Sequence, residues 1–312
     1  MSSAGTLQTS IPASTYAAGS FSASAFNALN VARQGAGAGL IAQSVGLDIA
    51  AGAHAAYTTT NLNDIITDET PHSEFTTKPG YYESTVNSRI AKSGYGQNNS
   101  TEVIGGGSTG GNVILGLLNS VYHGVALLGP YNSAGIGIGL DGANNPLIVG
   151  DLASLVTTPY SQVPAFGSIL AYPYQNQINV FANFYASAEA PRIPATLFPS
   201  SMAGSPIIIG VRNSDYVNYK TAGTLAPTVN IFTLKDSAGN LVPSKILSSS
   251  GIQSAAGVVL NTDPQLPAAF IVLVPISPLS QSQTYTASFS ATLKTGGVPV
   301  AKTWSFTTDA KN

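Results

Sequence analysis

The stretch LeuAspIleAlaAlaGlyAlaHisAlaAlaTyr, residues 47–57, has the spacing of a helix with one buried face. Its contact positions recur at three- and four-residue intervals, which places the following residues on one side: Leu47, Ala50, Ala51, His54 and Tyr57. We therefore predict a helix over residues 47–60. Because His54 lies among alanines on the inward face, we predict a hydrogen-bonded core histidine there rather than a ligand.

The rest of the first half mixes helices with strands. Apolar spacing predicts further helices over residues 22–33, 85–93 and 112–119, and short strands at 136–139 and 147–149. Arg89 is expected on the surface of the third helix as a salt-bridge partner. The run GlyGlyGlySerThrGlyGly at 105–111 lacks the lysine of a phosphate-binding loop, so we predict a flexible loop.

The second half has a different period. Tyr285, Ala287, Phe289, Ala291 and Leu293 alternate with polar residues, which is typical of a half-buried strand. The turn AspSerAlaGlyAsn at 236–240 separates two further strand candidates, and apolar runs occupy 206–211 and 268–274. Short strands at regular spacing predict an antiparallel, immunoglobulin-like β-sandwich.

These patterns predict an α+β protein of two domains, which suits a length of 312 residues. We divide the chain into a flexible lead-in at 1–21, an α/β domain at 22–171, a linker at 172–199 and the β-sandwich domain at 200–312. The linker prediction is based on the many Pro and aromatic residues and the lack of periodicity after Tyr172.

Composition excludes some classes of function. Charged residues make up 8% of the chain, against about 25% in a typical globular domain, and the net charge is −2. Nothing here attracts a phosphate backbone, so we expect no nucleic-acid partner. The longest apolar stretch, Ala268–Ile276, is too short to cross a bilayer, so we expect no transmembrane segment.

The chain contains no cysteine, so it has neither a disulfide nor a thiolate nucleophile. A surface rich in Ser, Thr, Gly and Asn and poor in charge is common on exported bacterial proteins. The start, MetSerSerAlaGly, has neither the basic nor the apolar part of a signal peptide. We expect either a protein that is not exported or one whose signal has been removed.

Histidine is scarce and confined to the first half: His54, His72 and His123. His72, Glu102 and His123 lie next to small or polar residues, so each could reach a cleft. Two imidazoles and a carboxylate could bind zinc, with water as the fourth ligand, or bind a polar ligand through hydrogen bonds. The alternative is that each histidine is an ordinary structural or surface residue.

Several local motifs follow one another in an order that resembles a known family. They are LeuAsnValAlaArg at 29–33, residues 47–57, ProHisSerGlu at 71–74, Arg89 with GlyTyr at 94–95, Glu102, AsnSerValTyrHis at 119–123, LeuLeuGlyProTyr at 127–131 and GlyIleGlyIleGly at 135–139. This order resembles the bacterial, SCP-like branch of the CAP superfamily (cysteine-rich secretory proteins, antigen five, pathogenesis-related proteins). The resemblance covers about residues 22–165.

The resemblance implies that 22–171 is a CAP-type α-β-α sandwich with a surface cleft lined by two histidines and acidic residues. It implies that His72, Glu102 and His123 line this cleft, and that His72 and His123 are the candidate zinc ligands. The family's second glutamate should lie on the helix before His123, but residues 112–119 contain no acid. Asn112 and Glu74 are the possible replacements, and neither is favoured.

We expect a secreted protein, extracellular or periplasmic, that binds a small ligand, a lipid or a metal in this cleft without catalysis. One alternative is a metal-dependent hydrolase, a protease or esterase, in which zinc-bound water attacks the substrate and Glu102 acts as base. Another is a structural or adhesion protein of the cell surface, whose domains present loops to protein partners. Fold alone does not decide among them.

Overall fold

The computed structural model describes residues 7–62, 71–96, 98–141, 144–157, 162, 164–189, 191–194, 196–198, 200–212 and 226–310. Helices and strands are both present, so the protein is α+β, as the two periodicities predict. The first half has this order: α1 (Phe21–Ala36), β1 (Ala42–Gln43), α2 (Val45–Thr60), α3 (Val86–Lys92), β2 (Asn98–Gly106), α4 (Gly110–Leu118), α5 (Val121–Leu127), β3 (Ser133–Leu140) and β4 (Pro146–Leu155).

These strands form one sheet in the order β1-β3-β4-β2, with helices on both faces. On one face α2 lies directly against β3. Side chains at Gly135 and Gly137 would overlap the backbone of α2 at Leu47 and Ala51, so only glycine allows this close approach. On the other face α1, α4 and α5 share an apolar core with alternate residues of the strands.

The described residues of the second half form strands and one short 3₁₀ helix. They are β5 (Ile169–Tyr172), β6 (Gln177–Val180), β7 (Asn183–Tyr185), the 3₁₀ helix Ala186–Ala188, β8 (Met202–Gly204), β9 (Ile207–Val211), β10 (Thr228–Lys235), β11 (Ser244–Ser248), β12 (Gln253–Ser254), β13 (Leu260–Thr262), β14 (Phe270–Pro275), β15 (Thr284–Thr292) and β16 (Pro299–Thr308). Two five-stranded sheets, β12-β10-β15-β16-β6 and β13-β11-β14-β9-β5, enclose a common apolar core.

Strand β14 connects the two halves, because both of its faces are buried. Ile271 and Leu273 point into the core between the two sheets, whereas Phe270, Val272 and Val274 join the core formed by α1, α4 and α5. A strand covered on both sides is expected to be apolar throughout, and this accounts for the run at 268–274. The two halves therefore share a continuous apolar interface.

The predicted boundaries differ from the observed pairing. β5 pairs with β9 and β6 pairs with β16, so residues 169–180 belong to the sheets of the second half. The predicted linker at 172–199 therefore contains the end of β5 and the strands β6 and β7. Residues 190, 195 and 199 of this segment lie outside the described residues. The segment predicted as a flexible lead-in also differs, because Gln8, Thr15 and Tyr16 hydrogen-bond to the rest of the chain; its residues 1–6 are not described.

The four predicted helices are confirmed, with ends shifted by a few residues. α5 was not predicted, since seven residues are too few for a periodic pattern. The predicted glycine loop at 105–111 is wrong at both ends, because β2 includes Gly106 and α4 begins at Gly110. A side chain at Gly110 would overlap the carbonyl oxygen of Phe21, so glycine here allows α4 to pack on α1. Within the described part of the chain, no helix combines the length and hydropathy needed to cross a membrane.

Candidate functional site

The three residues singled out from the sequence lie along one open cleft of about 310 Å³. His72 lies between α2 and α3 in the chain, Glu102 comes from the middle of β2, and His123 comes from α5. The other lining groups are small, apolar or hydroxyl-bearing, and include Val86, Ser100, Thr101, Tyr122, Ala126 and Pro191. The fold thus brings together three side chains from separate elements, of which His72 and His123 are 51 positions apart in the sequence.

Glu102 forms the floor of the cleft and is almost fully buried. One carboxylate oxygen lies 2.8 Å from Nδ1 of His72, and the other accepts a 2.8 Å hydrogen bond from Arg89. Burial alone would raise the pKa of Glu102. The hydrogen bond from His72, with the charges of His54, Arg89 and His72, outweighs burial and lowers the pKa to about 2. Glu102 is therefore a carboxylate at any ordinary pH.

Behind Glu102 lies what we call the buried ionic cluster: His54, Glu74, Arg89, Glu102 and Asp151. Nδ1 of His54 is 2.8 Å from Glu74, and its Nε2 is 2.9 Å from the carbonyl oxygen of Pro71. This confirms His54 as a hydrogen-bonded core residue. Glu74 accepts a further bond from the backbone N–H of Tyr82 and points away from the cleft, so it does not replace the missing acid.

Arg89 is fully buried, which corrects the predicted surface position. Its guanidinium donates to Glu102 and to the carbonyl oxygens of Glu83 and His72, and its Nε lies 3.8 Å from Glu74. The predicted role as a salt-bridge partner is confirmed. The position differs because the acidic partners of Arg89 lie inside the protein, where spacing along a helix cannot reveal them.

Asp151 was not anticipated from the sequence. It pairs directly with Glu102 across the antiparallel strands β4 and β2, and its side chain is fully buried. Neither of its carboxyl oxygens has a well-placed hydrogen-bond partner among the described residues. Burial and the adjacent Glu102 carboxylate raise the pKa of Asp151 well above its usual range, although Arg89 opposes this. The environment of Asp151 thus favours its protonated form, beside a Glu102 whose environment favours the ionised form.

His123 has a carboxylate partner of its own, from an unexpected place. Nδ1 of His123 is 3.1 Å from the hydroxyl of Ser120 and 3.5 Å from Glu189. Glu189 also accepts hydrogen bonds from the first backbone N–H groups of α5, at Val121 and Tyr122. These groups have no partner within a helix, so Glu189 caps α5 from a distance. The carboxylate beside His123 thus comes from a residue 66 positions after it in the chain.

The second half of the chain also contributes to the cleft. The hydroxyl of Tyr122 donates a 2.7 Å hydrogen bond to Asp263, in the loop before β14. Burial and the carboxylates of Asp263 and Glu189 raise the pKa of Tyr122. An adjoining depression of about 200 Å³ shares Thr101, Tyr122 and Pro191 with the cleft and ends at Gln265 and Pro267. One wall of the site is therefore built by the β-sheet region.

The geometry leaves one nitrogen on each cleft imidazole for a ligand. Nδ1 of His72 and of His123 faces a carboxylate, and Nε2 of each ring has no hydrogen bond to the described residues. His72 contacts Glu102 directly, whereas His123 shares the cleft without a hydrogen bond to either. No group of three or more His, Cys, Asp or Glu that could hold a metal ion occurs among the described residues. Asn112 does not line the cleft.

Comparison with known proteins adds little. No protein-family model matches the chain, and no curated protein matches it. Among solved structures, an outer surface protein from Borrelia burgdorferi is similar to 42% of this chain, over 89% of its own length. The sequence identity is 20% and the TM-score is 0.30, which is too low to establish a shared fold.

Proposed function

We propose that this chain is a secreted or cell-envelope protein that binds a small ligand, without catalysis, in the cleft formed by His72, Glu102 and His123. The observation that carries the proposal is the pair of imidazoles on one open cleft, each with Nδ1 held by the protein and Nε2 left for a ligand. The ordered motifs and the helices on both faces of the sheet support a CAP-type first domain. The two packed sheets support an immunoglobulin-like second domain.

The ligand chemistry follows from the carboxylates. A proton on Nδ1 lets His72 donate to Glu102 and His123 donate to the hydroxyl of Ser120, so a neutral ring presents the lone pair of Nε2 to the cleft. Hydroxyl, amide N–H and ammonium groups are suitable partners for such an atom. A protonated ring would instead donate from Nε2 and accept an anion. The cleft therefore suits a small polar ligand that hydrogen-bonds to the two imidazoles.

Zinc is the narrower version of this proposal. A carboxylate on Nδ1 is the usual support of a metal-binding histidine, and both rings have one. The protein offers only the two imidazoles, since Glu102 is held by Arg89 and His72, and zinc sites use three or four protein ligands. Titration calorimetry with zinc, comparing the natural chain with the His72→Ala, His123→Ala double variant, tests this part. Equal heats would end it.

The alternative hydrolase has less support. A general base works best with a pKa near the working pH, whereas the pKa of Glu102 is about 2 and both its oxygens are engaged. Glu102 is thus a poor candidate for the base. Turnover of a peptide or ester panel that disappears in Glu102→Gln and in His123→Ala would revive this alternative. A purely structural or adhesive role would leave both imidazoles without a ligand.

The binding proposal can be tested with the three histidines themselves. They give three imidazole Hε1 resonances in a proton spectrum, and His54 serves as an internal control because it is fully buried. Titration with a library of small polar fragments should shift the His72 and His123 resonances and leave that of His54 in place. A library without any fragment that moves His72 and His123 together would contradict the proposal.

A further inference from the structure

A larger cavity, about 490 Å³, lies on the far side of His123. It occupies the seam where α4 and α5 meet the segment 181–189 and β8, so we call it the seam cavity. Its apolar wall consists of Ile104, Leu117, Phe181, Phe184 and Met202. A mainly apolar cavity of several hundred Å³ between two parts of a chain is the usual form of a small-molecule site.

Most polar groups on its wall are already bonded within the protein, and Nδ2 of Asn183, which has no partner among the described residues, is itself buried. The Asn119 amide donates to the carbonyl oxygen of Asn183 and accepts from Ser205. Glu189 holds the N-terminus of α5, and the hydroxyl of Ser120 donates to the carbonyl oxygen of Leu117. A charged ligand group would find no free opposite charge on these side chains. The wall therefore favours an uncharged occupant.

Gly116 provides an independent observation. It lies inside α4, where glycine disfavours a helix, and its φ is not positive. A side chain there would meet nothing within 4 Å, in contrast to Gly110, whose replacement would overlap Phe21. No neighbouring part of the described structure is therefore close enough to require a glycine at position 116. Gly116 is exposed and lines the seam cavity, so a side chain at this position would project into that space.

We propose that the seam cavity binds a compact, uncharged molecule with an aromatic or branched hydrocarbon group. His123 lines both the seam cavity and the histidine cleft, so this group would belong to a ligand whose polar end reaches His123. The inference rests on the proposed function for that polar end only. The apolar contacts are made by the seam cavity itself.

The test uses N-phenyl-1-naphthylamine, an uncharged fluorophore that brightens in apolar sites, with the full-length chain. We expect saturable one-site binding, weakened at least tenfold by Gly116→Leu, whose side chain projects into the cavity, and less by Gly116→Ala. Gly52→Leu is the matched control, because Gly52 also lies inside a helix with nothing within 4 Å of an added side chain and is not part of the cavity wall. It should leave the affinity within twofold. Thermal melting of each variant checks folding.

Equal affinities for the natural chain and Gly116→Leu would overturn the proposal, as would the absence of saturable binding. Displacement of the fluorophore by palmitate but not by indole would overturn the compact ligand class. The proposed function is judged separately by the His72 resonance. If fragments shift that resonance while the fluorophore does not bind, the seam cavity proposal fails and the proposed function stands.

Discussion

The buried ionic cluster and the open cleft meet at Glu102 but use the same kinds of side chain differently. On the inner side, both ring nitrogens of His54 are bonded and Arg89 is held by acids and carbonyl oxygens. On the outer side, His72 and His123 each bond through one nitrogen only to the residues that the structure describes. Interior charges must be fully paired because no water reaches them, whereas groups at a cleft can leave an atom for a ligand. Substitutions inside should therefore change stability, and those at the cleft should change binding.

The largest effect is expected at Arg89. Arg89→Met leaves Glu102 and Glu74 buried without their cation, which should cost about 3–5 kcal/mol of unfolding free energy. Urea unfolding at pH 7 measures this. Lys92→Met is the matched control, because Lys92 pairs with Glu83 at 3.4 Å on the surface and should cost at most about 1 kcal/mol. Similar costs for both variants would contradict the comparison.

The acid dependence of Glu102 comes next. Its pKa falls from 4.5 to about 2 on folding, which corresponds to on the order of 3 kcal/mol of stability. Because the folded pKa is the lower one, this stability is present above pH 4.5 and is lost as the pH falls to about 2. The test compares two variants that both carry Asp151→Asn, which removes the titration of Asp151. One keeps Glu102 and the other carries Glu102→Gln. Their urea midpoints should differ at pH 7 and become equal as the pH falls to 2. Parallel curves would show that the pairing of Glu102 is not linked to folding.

Asp151 should give the opposite sign. Its folded pKa is raised, so it favours folding only while protonated and becomes unfavourable as the pH rises above about 3.8 towards the folded value. Asp151→Asn replaces the acid with a neutral side chain of the same shape. We expect a gain in stability at pH 7 and none at pH 3, measured by urea unfolding. A loss at pH 7 would mean that an ionised Asp151 is required.

The smallest effect is expected at His72, whose side chain is 35% exposed. His72→Ala should cost less than about 1 kcal/mol, because only a partly exposed hydrogen bond is lost. His54→Ala is the buried counterpart and should cost about 2 kcal/mol or more, since it leaves a cavity and removes the hydrogen bond to one buried oxygen of Glu74. Calorimetric melting of both variants gives the ranking. A more damaging His72→Ala would place His72 in the stability network rather than in the cleft.

Regular patterns in the sequence were reliable guides to local structure. The helix at 47–57 and the strand at 285–293 formed as predicted, because each pattern matches the repeat of a backbone with one buried face. The three residues chosen for the cleft were recognisable from residue type, neighbours and motif order. Asp151 was missed because a lone acid within an apolar strand has no local signal, and Glu189 because its target lies 66 positions away. The apolar run at 268–274 was recognisable in the sequence. The sequence did not show that one face of this strand packs against α1, α4 and α5.

By itself, the sequence determined the elements, the α+β class and the scarcity of histidine and charge, since these depend on composition and on spacing over a few residues. Only the tertiary structure decided which carboxylate faces which imidazole, which acid keeps its proton and where the cavities lie. Those properties depend on burial and on the distances between elements that are far apart in the chain. The two adjacent acids Glu102 and Asp151 are both buried, yet their pKa values shift in opposite directions because their hydrogen-bond partners and charged neighbours differ.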